Sequence, residues 1–372
     1  MSSLAQSTRT RITTMLGCQY PLVLPGMSWI STPELVAAVG KAGGVGILAT
    51  GPLNAQQTRD AIRKIRDLGV DNFGVGVTLL MPGANENAKV ALNENVPLIN
   101  VSLGKPDWIA DAAHAYGGKI LATVTNAKHS SSALESGADA LMITGHEAAA
   151  HGGDVTSLVL IPAIRSRFPE VPLVAAGGFA DGRGLAAALT LGADAVAMGS
   201  RFASTIESPL AVKTKIAIAN PHLDGGATES DTIYNKNFDG IPARVMSTPA
   251  AIRSNAKPAS VPLVIYRAFK AAKEMNIPLW KILPGLVSQW DKMYTIAQFG
   301  AATEAIKAAT VDGDLQGTGV QFIGQSQGLI NDVPRVDDLV QRIMHEAILV
   351  STEKATILNP DGQQTSNCEN VV

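Results

Sequence analysis

LVAAGGFADGRGLAAALTLGADAVAMGSRF, from Leu173 to Phe202, reads as strand, glycine turn, helix, strand and a second glycine turn. Both turns open at the carboxyl end of an apolar strand, at Gly177-Gly178 and at Met198-Gly199-Ser200. Glycine lets a backbone approach an anion closely, so two adjacent strand ends with bare N–H groups make a seat for a phosphate. In a (β/α)₈ barrel the usual phosphate site follows strands seven and eight. Counting upstream tests whether these are those strands.

Short apolar runs recur upstream at Pro21–Gly26, Gly44–Thr50, Phe73–Leu79, Pro97–Leu103, Lys119–Thr125 and Asp139–Gly145. Pro172–Gly178 and Asp194–Ser200 complete a set of eight. The runs are too short for buried helices, and Gly, Pro or small polar residues bound several of them. The segments between carry helical periodicity, at Thr32–Ala42, Asn54–Leu68, Trp108–Tyr116, Asn126–Ser136 and Gly182–Leu191. Ser31 or Thr32 serves as an N-cap, with Pro33 in the first turn, and the joints KAGG, ESGAD and TLGAD end helices before the next strand. Strands alternating with helices imply a parallel sheet. Eight regular units with no topological break favour a closed TIM-type (β/α)₈ barrel over an open doubly wound sheet.

After Phe202 the alternation stops. The reading divides the chain into a barrel over residues 1–206, a smaller, mostly helical domain over 207–314, a return segment over 315–350 and a tail over 351–372. The smaller domain rests on helical stretches at Pro262–Met275 and Gln289–Ala308 and is expected to fold over the barrel mouth. The return segment joins a glycine-rich loop to a helix starting near Val336.

Composition narrows the function classes. Charged residues are 17% of the chain, against about 25% in an average domain. The net charge of −2 argues for neither nucleic acid nor an anionic membrane as partner. No signal peptide or membrane-spanning run is expected, which points to a cytoplasmic protein. Cys18 and Cys368 form neither a CxxC nor a ligand spacing and read as two reduced thiols.

Chemistry gathers in the loop after the sixth strand, GHEAAAHGGD at Gly145–Asp154, with one Glu and two His. His146 and His151 are five apart rather than the four of HExxH, about 140° apart around a helix, so the reading assigns no metal. Gly152-Gly153 leave the His151 ring uncrowded, and its place beside the phosphate seat makes it the candidate proton-transfer group. His146, His114, His129, His222 and His345 carry no such context. Gly43–Gly46 precedes a strand instead of following one, so it is a helix cap and not a dinucleotide fingerprint.

With these residues in hand, the chain resembles the nitronate monooxygenase family, formerly 2-nitropropane dioxygenases, relatives of flavin-type enoyl-acyl-carrier-protein reductases and NAD(P)H:quinone reductases. The resemblance rests on LPGMSW (Leu24–Trp29), AAVGKAGGVGIL (Ala37–Leu48), FGVGVTLL (Phe73–Leu80), EAAAHGG (Glu147–Gly153), the stretch Ala175–Phe202 and GIPARVM (Gly240–Met246). It implies FMN at the barrel mouth, with the phosphate on Gly177, Gly178, Gly199 and Ser200. Ala149 and Ala150 would line the approach, Gly26 and Met27 would pack on the ring, and Thr78 would sit near its edge. His151 matches the catalytic histidine. Two positions depart from the pattern: Ala149-Ala150 where relatives often carry glycine, and Thr123 on strand five where relatives carry lysine beside the flavin.

The resemblance implies oxidation of a nitronate or nitroalkane with O₂ to a carbonyl compound and nitrite, with His151 as base. Two other readings stay open. One is an NAD(P)H-dependent FMN reductase of quinones or enoyl thioesters. The other is a flavin-binding barrel without catalysis of its own. The apolar second domain leans the reading towards a homodimer.

Overall fold

The computed structural model describes residues 8–149, 151–219, 227–256 and 302–359, with 262, 266 and 298 as single positions. Its centre is a closed barrel of eight parallel strands in sequential order. They are β1 (Leu22–Leu24), β2 (Val45–Ala49), β3 (Gly74–Thr78), β4 (Leu98–Ser102), β5 (Lys119–Val124), β6 (Ala140–Thr144), β7 (Leu173–Ala176) and β8 (Ala195–Ala197). Closure is made by β1 on β8, Leu22 opposite Val196 and Val23 opposite Ala197. All eight strands fall inside the apolar runs of the sequence, so the expected TIM-type (β/α)₈ fold is the observed one.

Alternation along the strands builds the interior. Val23, Val45, Ile47, Leu98, Leu121, Ala140, Met142, Val174, Ala195 and Ala197 form one buried cluster inside the barrel. A short helix, α1 (Arg11–Leu16), joins this cluster through Ile12 and Leu16 and plugs the amino-terminal end. Sequence patterning missed α1 because its six residues, RITTML, are too few to show a period. Its start is set locally by Thr10, whose side chain accepts from Thr13 N while Thr13 returns the bond.

The outer helices follow their strands: α2 (Pro33–Lys41), α3 (Ala55–Asp67), α4 (Ala84–Asn93), α5 (Asp107–His114), α6 (Ala127–Glu135), α7 (Ser157–Arg167) and α8 (Gly182–Thr190). Beyond β8 come α9 (Gly199–Ala203), α10 (Val212–Ala219) and an antiparallel hairpin, β9 (Thr232–Asn235) on β10 (Ala243–Met246). Then follow α11 (Pro249–Ala256) and the long closing helix α12 (Val336–Leu358). The hairpin stands in the domain expected from sequence to be mostly helical. Its strands are four residues each, too short for a period-two pattern to emerge, and each finds its partner in the other. Helix α12 runs eight residues past position 350, into the stretch read as tail. The Pro262–Met275 stretch apart from two single positions, and most of Gln289–Ala308, lie outside the described residues. Among the described residues no helix is long and apolar enough to cross a membrane.

Helix α12 closes the barrel wall by packing on α8. Gly182 at the start of α8 makes this contact: its N–H donates to Glu346 Oε2 at 2.8 Å, and a Cβ there would press on Ile343 O and lie 2.5 Å from Ala347 N. Both obstacles are backbone, so neither can swing aside. Gly182→Ala is expected to cost about 1–3 kcal/mol by overpacking, read as a lower melting temperature in calorimetry. An unchanged melting temperature would refute this account of the α8–α12 contact.

Candidate active site

The carboxyl ends of the strands are built differently from the rest of the interior. Continuing the alternation upward from the apolar cluster reaches Gly76, Asn100, Ser102, Thr123, Thr144 and Ala176, a small and polar layer. Asn100 Nδ2 donates to Leu121 O and to Thr123 Oγ1, both at 2.9 Å, and Ser102 Oγ lies 3.0 Å from Thr78 Oγ1. Thr78 and Thr123 are thereby held by the neighbouring strand on this mouth-side layer.

The turn after β1 faces the same mouth. Ser31 holds it, donating to Pro25 O at 2.7 Å and accepting from Met27 N at 3.0 Å. Gly26 lies against Gly76: a Cβ on Gly26 would be 3.7 Å from the Gly76 Cα and 3.6 Å from Leu48 O. Two bare backbones meeting here leave a flat wall suited to a planar ring. Met27 reaches across to the turn after β8, where a Cβ on Gly199 would stand 3.3 Å from its Sδ.

The two glycine turns of the opening stretch sit side by side, since β7 pairs with β8. Gly177 and Gly178 hold φ of +100° and +88°, a region other residues enter only with strain. Helix α9 begins at Gly199, and Met198 contributes no side-chain cap. Among the described residues the Gly199 and Ser200 N–H groups at the start of α9 meet no acceptor, which leaves them for an outside one. Ser200 Oγ accepts from Gly324 N at 3.0 Å, which draws the return segment over the seat. Ala149 lies under that segment, its amide 3.2 Å from where a Cβ on Gly324 would stand. Ala150 lies outside the described residues.

His151 is held from the other side of the mouth. Its Nε2 is 2.8 Å from Asp239 Oδ2, and the Asp239 side chain is 1% exposed. Asp239 Oδ1 accepts from Ile241 N at 3.2 Å, so the carboxylate is engaged on both oxygens. Phe322 meets the imidazole edge-on, with ring centres 6.1 Å apart.

The hairpin that precedes and follows Asp239 grips the His151 loop at two more points. Tyr234 Oη donates to Gly152 O at 2.8 Å, and burial raises its pKa, keeping it a neutral phenol. Arg244 donates from Nε and Nη2 to His146 O at 3.2 and 2.9 Å and lies 5.3 Å over the Tyr234 ring. Burial lowers the Arg244 pKa, a mark of how far the guanidinium is removed from water. His146 closes the loop by donating from Nδ1 to Gly153 O at 2.9 Å. It is a staple of the loop.

The sequence reading brought His151, the glycine turns, Gly26, Met27, Thr78 and Thr123 to the mouth, and the structure places each of them there. It did not find Asp239, although the residue abuts the GIPARVM marker, nor the loop-holding roles of Arg244 and Tyr234. Of the smaller domain's aromatic residues, Trp290 and Tyr294 lie outside the described residues, as does His222. Cys18, tucked between α1 and β1 at the opposite end, is pushed up to about 11 by burial and stays a protonated thiol. Among the described residues no group of three or more His, Cys, Asp or Glu is arranged to hold a metal.

The sequence matches the family description nitronate monooxygenase over residues 9–346. The chain belongs to that family. Nitronate monooxygenase family members are flavin-dependent oxidoreductases, and the bare wall at Gly26 and Gly76 with the glycine turns beyond it fits a flat ring bearing a phosphate. The chain is 33% identical over 347 residues to "(3aS,4S,5R,7aS)-5-hydroxy-7a-methyl-1-oxo-octahydro-1H-indene-4-carboxyl-CoA dehydrogenase" of Rhodococcus jostii, covering 91% of this chain and 96% of that one. A "Probable nitronate monooxygenase" of Staphylococcus aureus is 28% identical over 282 residues, covering 63% of this chain and 78% of the relative. Among solved structures, FabK from Thermotoga maritima superposes with a TM-score of 0.76 at 32% identity, covering 94% of this chain and 99% of that one.

The grip of the hairpin on the loop is testable. Arg244→Met keeps the aliphatic stem but leaves His146 O without its donors. It is expected to lower stability by about 1–3 kcal/mol and to speed amide exchange within 145–153. Exchange at the wild-type rate would show that the loop is held by other means.

Proposed function

We propose that the protein is an FMN-dependent oxidoreductase acting on a carbon acid, a substrate whose C–H bond lies next to an electron-withdrawing group. His151 moves the α-proton. The observation that carries this reading is the 2.8 Å contact between His151 Nε2 and the buried Asp239 carboxylate. A carboxylate is an acceptor only, so the neutral ring bears its proton on Nε2 and its lone pair on Nδ1. The same carboxylate stabilises the imidazolium formed when Nδ1 takes up a proton. FMN, when bound, supplies the two-electron acceptor. Gly177, Gly178, Gly199 and Ser200 would hold its phosphate, with Ala149 and Ala150 at the approach. Gly26, Met27, Thr78 and Thr123 would hold its ring.

The substrate class we favour is an acyl thioester. The relative that matches over nine-tenths of the chain is named for dehydrogenating a carboxyl-CoA, whereas the probable nitronate monooxygenase matches 63%. In such a reaction His151 would take the α-proton, the flavin when bound would supply the acceptor for the β-hydrogen and its electron pair, and the product would carry a C=C bond. Nitronate oxidation is the second reading, supported by the family match over residues 9–346. There His151 would bind the anionic nitronate or deprotonate a nitroalkane, with O₂ as oxidant and carbonyl compound and nitrite as products.

Mixing the flavin-loaded protein anaerobically with a saturated acyl-CoA, with an alkyl nitronate and with NADH or NADPH separates these readings. Bleaching by the acyl-CoA is the expected result. Bleaching by the nitronate alone would give the second reading, and bleaching by a nicotinamide alone would make the protein a reductase. His151→Asn should retain flavin and lose at least about 10²-fold in the rate of substrate oxidation. Full activity in that variant would remove His151 from the chemistry.

A further inference from the structure

The glutamate of the EAAAHGG motif takes no part in the proton transfer above, and its carboxylate is engaged at the start of α7 instead. Both Glu147 oxygens accept from Ser157 N at 3.0 Å, at the first residue of α7. Thr156, the residue in the N-cap position, makes no side-chain cap bond, so Glu147 caps this helix from ten residues upstream. Capping alone leaves one contact unexplained. Ser157 Oγ is 3.0 Å from Glu147 Oε2 and only 2.8 Å from Gly177 O. A hydroxyl has one proton to give, and Ser157 shares it between the Glu147 carboxylate and the Gly177 carbonyl, both within hydrogen-bond distance.

That contact sets the direction of a peptide plane. Strand β7 lies between β6 and β8, and α7 follows β6. The Gly177 carbonyl is therefore turned towards the β6 side. In a planar trans peptide the next N–H points the opposite way, so the Gly178 N–H faces the β8 side, where Gly199 and Ser200 begin α9. Among the described residues the Gly178 N–H meets no acceptor. Gly177 and Gly178 at φ +100° and +88° permit this orientation, but glycine by itself also permits the reverse one. Ser157 selects between them.

We infer that Ser157, oriented by Glu147, is a positioning residue for the phosphate seat. It acts through the Gly177–Gly178 peptide, aiming the Gly178 N–H at an anion held between the turns after β7 and β8. The inference rests on the FMN reading of the site. It gives the glutamate of the motif a task in cofactor selection rather than in catalysis, and it predicts preference for the phosphorylated flavin over the same ring without phosphate.

The test is titration of flavin-stripped protein with FMN and with riboflavin, following flavin fluorescence. Ser157→Ala is expected to weaken FMN binding by roughly 10-fold or more, the value of a hydrogen bond to a charged group, and to change riboflavin binding less than about twofold on the same reasoning. Glu147→Gln, which leaves the hydroxyl in place but loosens it, should shift the FMN-to-riboflavin ratio in the same direction by a smaller factor. It also decides the matter if Ser157→Ala does not fold. Equal loss of both flavins would reduce the pair to a helix cap and overturn the inference. So would an unchanged ratio. Wild-type protein that binds FMN no more tightly than riboflavin would overturn the FMN reading itself, which is a different failure.

Discussion

The site depends on one buried charge. Asp239 is closed off from water, and a carboxylate so placed must be paired or hydrogen-bonded, at a cost of several kcal/mol when its partner is removed. Its partners are the His151 ring at 2.8 Å and the Ile241 amide at 3.2 Å. The pair ties the β6–α7 loop to a hairpin that comes later in the chain. Tyr234 and Arg244 grip the same loop at Gly152 O and His146 O, on either side of the histidine. A loop rich in Ala and Gly has little side chain of its own to define it, so contacts from outside must do so.

The barrel supplies the opposite half of the site through backbone rather than side chains. Its lower interior is filled by Val, Ile, Leu and Met and plugged by Ile12 and Leu16 of α1. Its upper rim is left bare at Gly26 and Gly76 and polar at Asn100 and Thr123. This division follows the usual one in such barrels, stability at the amino-terminal end and chemistry at the carboxyl end. At the amino-terminal end, buried Asp194 accepts from Leu173 N at 2.9 Å and from Arg165 Nη2 at 2.6 Å, joining α7, β7 and β8.

The legible parts of this protein were those whose signal is local. Each strand shows as an apolar run with small residues at its ends, and α2 shows its start as Thr32-Pro33-Glu34, the N-cap observed. Helix α1 and strands β9 and β10 did not show, because each is too short for its period to repeat. In the site, the glycine turns and His151 were legible from residue type and position after a strand. Asp239 was not: it stands 88 positions from His151, and no spacing rule links them. Glu147 shows in the sequence as the glutamate of that loop, but nothing in its neighbourhood reveals that Ser157, ten residues on, takes up both its oxygens.

The amino-acid sequence by itself determined that eight βα units close into a barrel, that two glycine turns stand at the ends of adjacent strands, and that a histidine lies one unit before them. Each of these is written in consecutive residues, through burial period and through the backbone freedom of glycine. Tertiary structure alone decided which carboxylate completes the histidine, which residues hold its loop, and which way the Gly177–Gly178 peptide faces. Those depend on groups far apart in the chain meeting within hydrogen-bond distance, and a bond of about 3 Å is set by how the barrel closes and the hairpin docks.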